Sequence, residues 1–297
     1  MGGRAVTVLA PGPCALFQDL GRPGLAHLGV PRSGAADRGA LVTANQLLGN
    51  EPTAAAVECL FGGLSLRAEE ALEVLVAGAP APATVDGAPV PHAARFELGK
   101  GETLVLGFPP FGVRTYVGVR GGFEPPPALG SRSACTLSKL GPAPIRAGDR
   151  IPVGEPPLEA PRWDFLSLGP QPTAAPSVLR GQLGPRADRV LGLDLADQAW
   201  AVQEKSDRIG VRLRRSDDGP LWSFAPQRSE PIAHGSVQAT PSGELICFLA
   251  DHPTTGGYPV VCVLDEPAVN LLAQLRPGQE VRFELRPPRR LARLPQN

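Results

Sequence analysis

Leu245-Ile246-Cys247-Phe248-Leu249-Ala250-Asp251-His252-Pro253-Thr254-Thr255-Gly256-Gly257-Tyr258-Pro259-Val260-Val261-Cys262-Val263-Leu264 is a strand, a polar loop and a second strand. Both apolar runs have strand length, and the second is rich in β-branched residues. Between them Gly256 and Gly257 leave amide N–H groups uncovered, which suits a carboxylate, carbonyl or phosphate oxygen. Taken alone, the loop is as well explained by a tight turn. The same pattern recurs outward from it. Pro and Gly each number 35 and punctuate short runs such as Thr115–Arg120, Leu104–Leu106 and Val281–Leu285, so the chain is expected to be mainly β with many turns. Closed barrels would remove the edges that so many short strands create.

The two halves share a plan. Thr115–Arg120 leads into Gly121-Gly122-Phe123, as the strand before Gly256-Gly257-Tyr258 does in the second half. Each half then reaches a turn and a further strand, Arg146-Ala147-Gly148-Asp149-Arg150-Ile151 and Arg276-Pro277-Gly278-Gln279-Glu280-Val281. A duplicated β domain follows, divided by the proline-rich stretch Pro152–Pro161. Two short helices are expected. One runs from an N-capping Asp37 to Leu48 and is closed by Gly49; the other runs from Pro267 to Leu275.

Composition bounds the function. Lys+Arg and Asp+Glu both total 29, so no global field favours nucleic acid or an anionic membrane. Hydrophobic residues make up 42% of the 297 residues, without a run of membrane-spanning length or a convincing signal peptide, and a cytoplasmic protein is expected. The five cysteines lack the spacing of a disulfide framework or a zinc site, and Cys247 and Cys262 read as core residues. No metal site is expected, and no Walker-type phosphate loop is present.

Three polar clusters are candidates for chemistry. The first joins Gln18-Asp19-Leu20-Gly21-Arg22 to Gly29-Val30-Pro31-Arg32-Ser33-Gly34-Ala35-Ala36-Asp37 and ends at a helix N-terminus, a natural place for an anion. Arg22 or Arg32 would clamp a carboxylate there; pairing of Asp19 with Arg22 is the structural alternative. Downstream, Asn45 and Glu58 sit in apolar surroundings and need partners. The second cluster is Ser206-Asp207-Arg208 with Arg212, read equally well as substrate orientation or a structural ion pair. In the third, the opening loop, Asp251 is the candidate base, Thr254 or Thr255 the hydroxyl donor, and the glycine amides the oxyanion donors.

At these residues the chain resembles the allophanate hydrolase subunit 2 family. The resemblance rests on Gln18–Arg22, Gly29–Pro31 with Ser33-Gly34 and Asp37, Ala44-Asn45, Glu58, Gly121-Gly122, Gly130-Ser131, Ser206–Arg208 with Gly210 and Arg212-Leu213, Gln238 and Thr254–Pro259. It spans almost the whole chain. Members of that family serve as the C-type subunit of 5-oxoprolinase, as part of the biotin-dependent carboxyltransferase region of urea amidolyase, and as the antikinase KipA. The resemblance implies tandem cyclophilin-like β-barrel domains, residues 1–155 and 156–297.

It further implies ATP-dependent opening of the 5-oxoproline lactam, carried out with a related B-type subunit and an A-type subunit, the ATP being bound by or shared with those partners. Biotin enters only under the carboxyltransferase alternative, and a non-catalytic KipA-like role is the third reading. Under the leading one, Arg22, Ser33, Asp37, Ser206, Asp207, Arg208, Arg212, Gly256, Gly257 and Tyr258 contact substrate. The chain departs from the family pattern at Pro231, Pro253 and Val260, where glycine, glutamine and lysine are usual.

Overall fold

The strands Leu72–Gly78 and Arg114–Val119, buried on both faces, organise the first half. Val74, Val76, Val117 and Val119 face one core, while Leu75, Ala77 and Tyr116 face helix α1 (Arg38–Leu48). These strands belong to a five-stranded sheet ordered Cys14–Gln18, Ala56–Leu60, Arg114–Val119, Leu72–Gly78 and Arg95–Leu98. A six-stranded sheet shares its core. Its order is Arg150–Pro152, Ala5–Pro11, Leu64–Ala68, Thr103–Leu106, Ala83–Val85 and Ala88–Val90, contributing Val6, Val8, Leu66 and Leu104. This is a computed structural model, and it describes residues 3–164, 176–190, 195, 197–215, 222, 224 and 227–287.

Seven strands of the second half close into a barrel, ordered Ser177–Leu183, Val260–Leu264, Ser236–Ala239, Glu244–Phe248, Gly210–Arg215, Trp200–Val202 and Glu280–Arg286. Parallel pairing of the last strand with the first completes the ring. Closure leaves no strand edge around the ring, the liability that short strands otherwise carry. Trp200 is fully buried at its centre, edge-on to Phe283 at 6.3 Å. Helix α2 (Glu266–Leu272) packs Ala268, Val269 and Leu272 against this core, which also takes in Ala36 from the first half.

The repeated turns share one hydrogen-bond pattern. Arg146 N–H donates to the Asp149 side chain, and Arg276 N–H to the Gln279 side chain. Gly148 and Gly278 adopt φ of 89° and 85°, conformations that favour glycine, and each N–H donates to a strand carbonyl, of Val8 and Val202. The glycine pairs do not match in the same way. Gly121 and Gly122 both have positive φ, whereas Gly256 pairs with Glu230 in a two-stranded ribbon, Glu230–Pro231 with Thr255–Gly256.

The halves are stitched together through α2 and the turn after it. Asn270 Oδ1 accepts from Arg38 N–H at 3.0 Å. Gln274 accepts from the N–H groups of Val113 and Arg114 and donates to Asp37 Oδ2 at 2.7 Å. Arg276 donates to the carbonyls of Pro109, Pro110 and Gly112. No helix among the described residues is long and apolar enough to cross a membrane.

Candidate functional site

Glu58 lies on the strand Ala56–Leu60 and faces away from the first core, toward the second half. A carboxylate 5% exposed must be matched, and here the match comes from four directions. Its Oε2 accepts from Tyr116 Oη at 2.7 Å and Ala36 N–H at 3.0 Å; its Oε1 takes Nη1 of Arg208 and lies 3.6 Å from Arg114 Nε. Arg208, 6% exposed, carries the network onward. Its Nε donates to Asp251 Oδ2 at 3.1 Å and its Nη2 to the Gly34 carbonyl at 2.5 Å. Asp251 is fully buried, and Ser33 Oγ, Thr136 N–H and Thr136 Oγ1 complete its shell at 2.8, 2.7 and 2.8 Å.

Two carboxylates and two guanidiniums thus make a neutral node through which both halves are bonded. Burial by itself would raise the Glu58 and Asp251 carboxyls. The charge of Arg208, joined at Glu58 by Arg114, and the surrounding hydrogen bonds outweigh it and hold both below the usual carboxylate range. Burial likewise opposes the charge on Arg208, but Glu58 and Asp251 more than compensate and raise its pKa.

Above the node opens a cleft of about 300 Å³. Glu58, Arg114, Arg208 and Thr136 form its polar floor, Leu16, Leu60, Val113 and Leu275 its apolar walls, and Glu204, Ser206 and Asp207 its rim. An apolar recess with a few convergent polar groups is the usual form of a small-molecule site. A shallower depression of about 670 Å³ lies on the edge strand Arg95–Leu98, where Arg95 is already paired with Glu73 and Asp164 at the surface. The cleft over the node is the better candidate.

The polar clusters meet in part. Ser33, Arg208 and Asp251 come together, with Ser206 and Asp207 beside them. Ser206 Oγ also accepts from Arg212 N–H, and Asp207 folds back on the N–H groups of Ile209 and Gly210. Asp251 is neither exposed nor free of partners, the geometry of an anchored anion. Arg22 lies elsewhere, 2% exposed and donating to the carbonyls of Ala128 and Ser133. It does not pair with Asp19, whose carboxylate is taken by Gly21, Ser131, Arg132 and Ser133; two residues close in sequence each pin the 128–133 loop instead.

Asp37 caps α1 through Ala40 N–H at 3.0 Å. Arg212 pairs with Glu244 at 3.3 Å on the barrel surface. Thr254 and Thr255 sit in or beside the ribbon, Gly257 and Tyr258 are exposed, and none of these four lines the cleft. Gly256 is held where a side chain would meet Ile232 and Gln238. Val260 opens a barrel strand and is 5% exposed, in a place where a lysine ammonium would be desolvated.

Arg114, Thr136 and Glu204 carried no signal in the sequence, although Arg114 precedes an apolar strand that has no obvious use for a charge. The position of Arg114 follows from strand pairing; Thr136 and Glu204 lie in turns that the two halves bring to the same recess. Arg114 sits directly opposite Leu60, two residues along from Glu58, and so both flank the same recess.

The fold and the cleft define a two-part, mainly β protein with a recess where its halves join. Residues 28–285 match the model of the family described as carboxyltransferase domain, subdomain A and B, and the chain belongs to that family. It is 31% identical to the C-type subunit of 5-oxoprolinase from Haemophilus influenzae over 291 residues, covering 91% of this chain and 87% of that one. The solved structure of TTHA0988 superposes with a TM-score of 0.84 at 33% identity, over 96% of this chain and 56% of that chain. The K. lactis urea amidolyase structure gives 0.83 at 26% identity, over 94% of this chain and 18% of that one. The chain therefore spans about half of the first of these two solved chains and less than a fifth of the second.

Proposed function

We propose that this chain is the C-type subunit of an ATP-dependent 5-oxoprolinase, which opens 5-oxo-L-proline to L-glutamate together with a B-type and an A-type subunit. The observation that carries the reading is the cleft, in a chain related over 91% of its length to the C-type subunit of a 5-oxoprolinase. Its volume of about 300 Å³ suits a single small ring. In this reading the methylenes of the lactam lie against Leu16, Leu60, Val113 and Leu275. The ring carboxylate faces Arg114, whose guanidinium is held in place by the Ala273 carbonyl. Arg208, bound on both sides by Glu58 and Asp251, fixes the floor and keeps Arg114 and Thr136 oriented.

The cleft does not suit a triphosphate. Arg208 is taken by Glu58 and Asp251, which leaves Arg114 for a single carboxylate, and Glu204 and Asp207 add negative charge at the rim. ATP belongs in this reading to the partner chains.

The test is co-expression with candidate A-type and B-type subunits and an assay of 5-oxoproline-dependent glutamate formation. No glutamate from an assembled complex overturns the proposal. Cys14 supplies a local check, because it lines the cleft while the other four cysteines are buried. Saturating 5-oxoproline should slow its alkylation in the complex, read by peptide mass spectrometry. Unaltered labelling would remove the substrate from this cleft. The similarity to urea amidolyase and the family's description favour one second reading, a biotin-dependent carboxyltransferase. Inhibition of the complex by avidin would select it.

A further inference from the structure

Next to the ionic node, but outside the cleft, positive groups from both halves gather with little to oppose them. Arg32 precedes Ser33, which bonds Asp251, and His252 follows Asp251. The His252 ring centroid lies 6.1 Å from that of His234. Gly235 packs against Val269 of α2, and the next residue, Asn270, accepts from the N–H of Arg38 in the first turn of α1. Arg32, Arg38 and His252 all lie close enough to His234 to repel a charge on its ring.

Three nitrogens there, Arg32 Nε, Arg38 Nε and His234 Nε2, are buried and have no hydrogen-bond partner among the described residues. Each such group costs about 1–3 kcal/mol when left unsatisfied. The facing carboxylate is Glu266, 58% exposed and 3.8 Å from Arg38 Nε, too remote to satisfy that N–H. The carboxylate of Asp37 is directed elsewhere, to Ala40 and Gln274. Water would satisfy the hydrogen bonds but bring no charge.

We infer that Arg32, Arg38 and His234 form a binding site for a small oxyanion, a carboxylate or a phosphate group, at the N-terminal end of α1. The anion accepts from the two guanidiniums, and from Nε2 of His234 once that ring is protonated. The eleven-residue helix adds the positive end of its dipole. Burial, together with the charges of the neighbouring basic groups, lowers Arg32 and brings His234 down to about 4, the repulsion that a bound anion would relieve. The sequence alone placed an anion near this helix with Arg22 or Arg32. The structure selects Arg32 and adds Arg38 and His234. The inference does not depend on the reaction assigned to the cleft.

The experiment titrates the purified chain with inorganic phosphate, bicarbonate and acetate at constant ionic strength against chloride, following Tm and heat of binding. At least one anion should saturate. Arg32→Gln and Arg38→Gln should each weaken it roughly 10- to 100-fold, the worth of one charge-assisted hydrogen bond. Without anion, both variants should melt no lower than the parent, because each removes a repelling charge. The His234 imidazole, followed by NMR, should titrate at higher pH when the anion is bound. Whether phosphate or a carboxylate saturates at lower concentration identifies the source. A response equal to that of chloride, or full binding in both variants, overturns the inference.

Discussion

At the scale of the residue, Arg208 is the group on which most depends. It bonds two carboxylates and the Gly34 carbonyl from a position 6% exposed, and its partners come from both halves. Replacing it by methionine keeps much of the volume but strands Glu58 and Asp251 as buried charges. Arg208→Met should therefore lose about 3–5 kcal/mol of stability, measured by urea unfolding, far beyond the worth of a surface pair. A loss under about 1 kcal/mol would mean that water reaches the node. Glu58 stood out in the sequence as a carboxylate in apolar surroundings. Arg208 stood out as well, but not as its partner, because the two lie 150 residues apart and only the packing of the barrel against the first half brings them together.

At the scale of the element, local chemistry decides most of what forms. Helix α1 begins where Asp37 caps Ala40 and ends at Gly49, whose φ of 68° turns the chain out of the helix. Its Leu41, Ala44, Leu47 and Leu48 fall on one face and are buried. Asp37 also accepts from Gln274, a tie between halves. Asp37→Ala should cost about 1–2 kcal/mol, as a lost cap does, with reduced helical ellipticity before the main transition. An unchanged melting profile would show that Gln274 and Tyr116 hold the helix end without it. The strands expected over Leu245–Leu249, Val260–Leu264 and Val281–Leu285 appear within a residue of those limits at either end. The loop between the first two was harder to read. Its polar residues signalled exposure and binding, yet Asp251 is fully buried and Thr255 joins a ribbon with Pro231.

At the scale of the whole molecule, stability should depend on acid more steeply than the zero net charge suggests. Burial lowers His234 to about 4 and lowers His252 as well. A histidine depressed in the folded state contributes stability that is complete above its unfolded value near 6.5 and is lost as pH falls through the folded one. Glu58 and Asp251, also depressed, contribute above their unfolded values near 4 and lose it below. Asp37, raised by burial, works the other way and returns a part as it protonates. The expected result is a Tm that declines from about pH 6.5 to 4 and falls faster below 4. His234→Gln should make the upper part shallower and leave the lower part unchanged, His252 supplying what remains above about pH 4. A Tm constant between pH 7 and 4 would contradict this.

The sequence by itself determined the mainly β character, the two helices, the repeated turns and the residue types at the candidate site. Each of these is written in neighbours a few positions apart, as alternation, caps and left-handed glycines. The tertiary structure alone decided which charges meet. It kept Asp19 and Arg22 apart, joined Glu58 to Arg208 and Asp251, and brought Arg114 and Thr136 to the cleft. The reason is physical: strand register sets Arg208 beside Asp251, the docking of one sheet system on the other brings both to Glu58, and no local pattern records either.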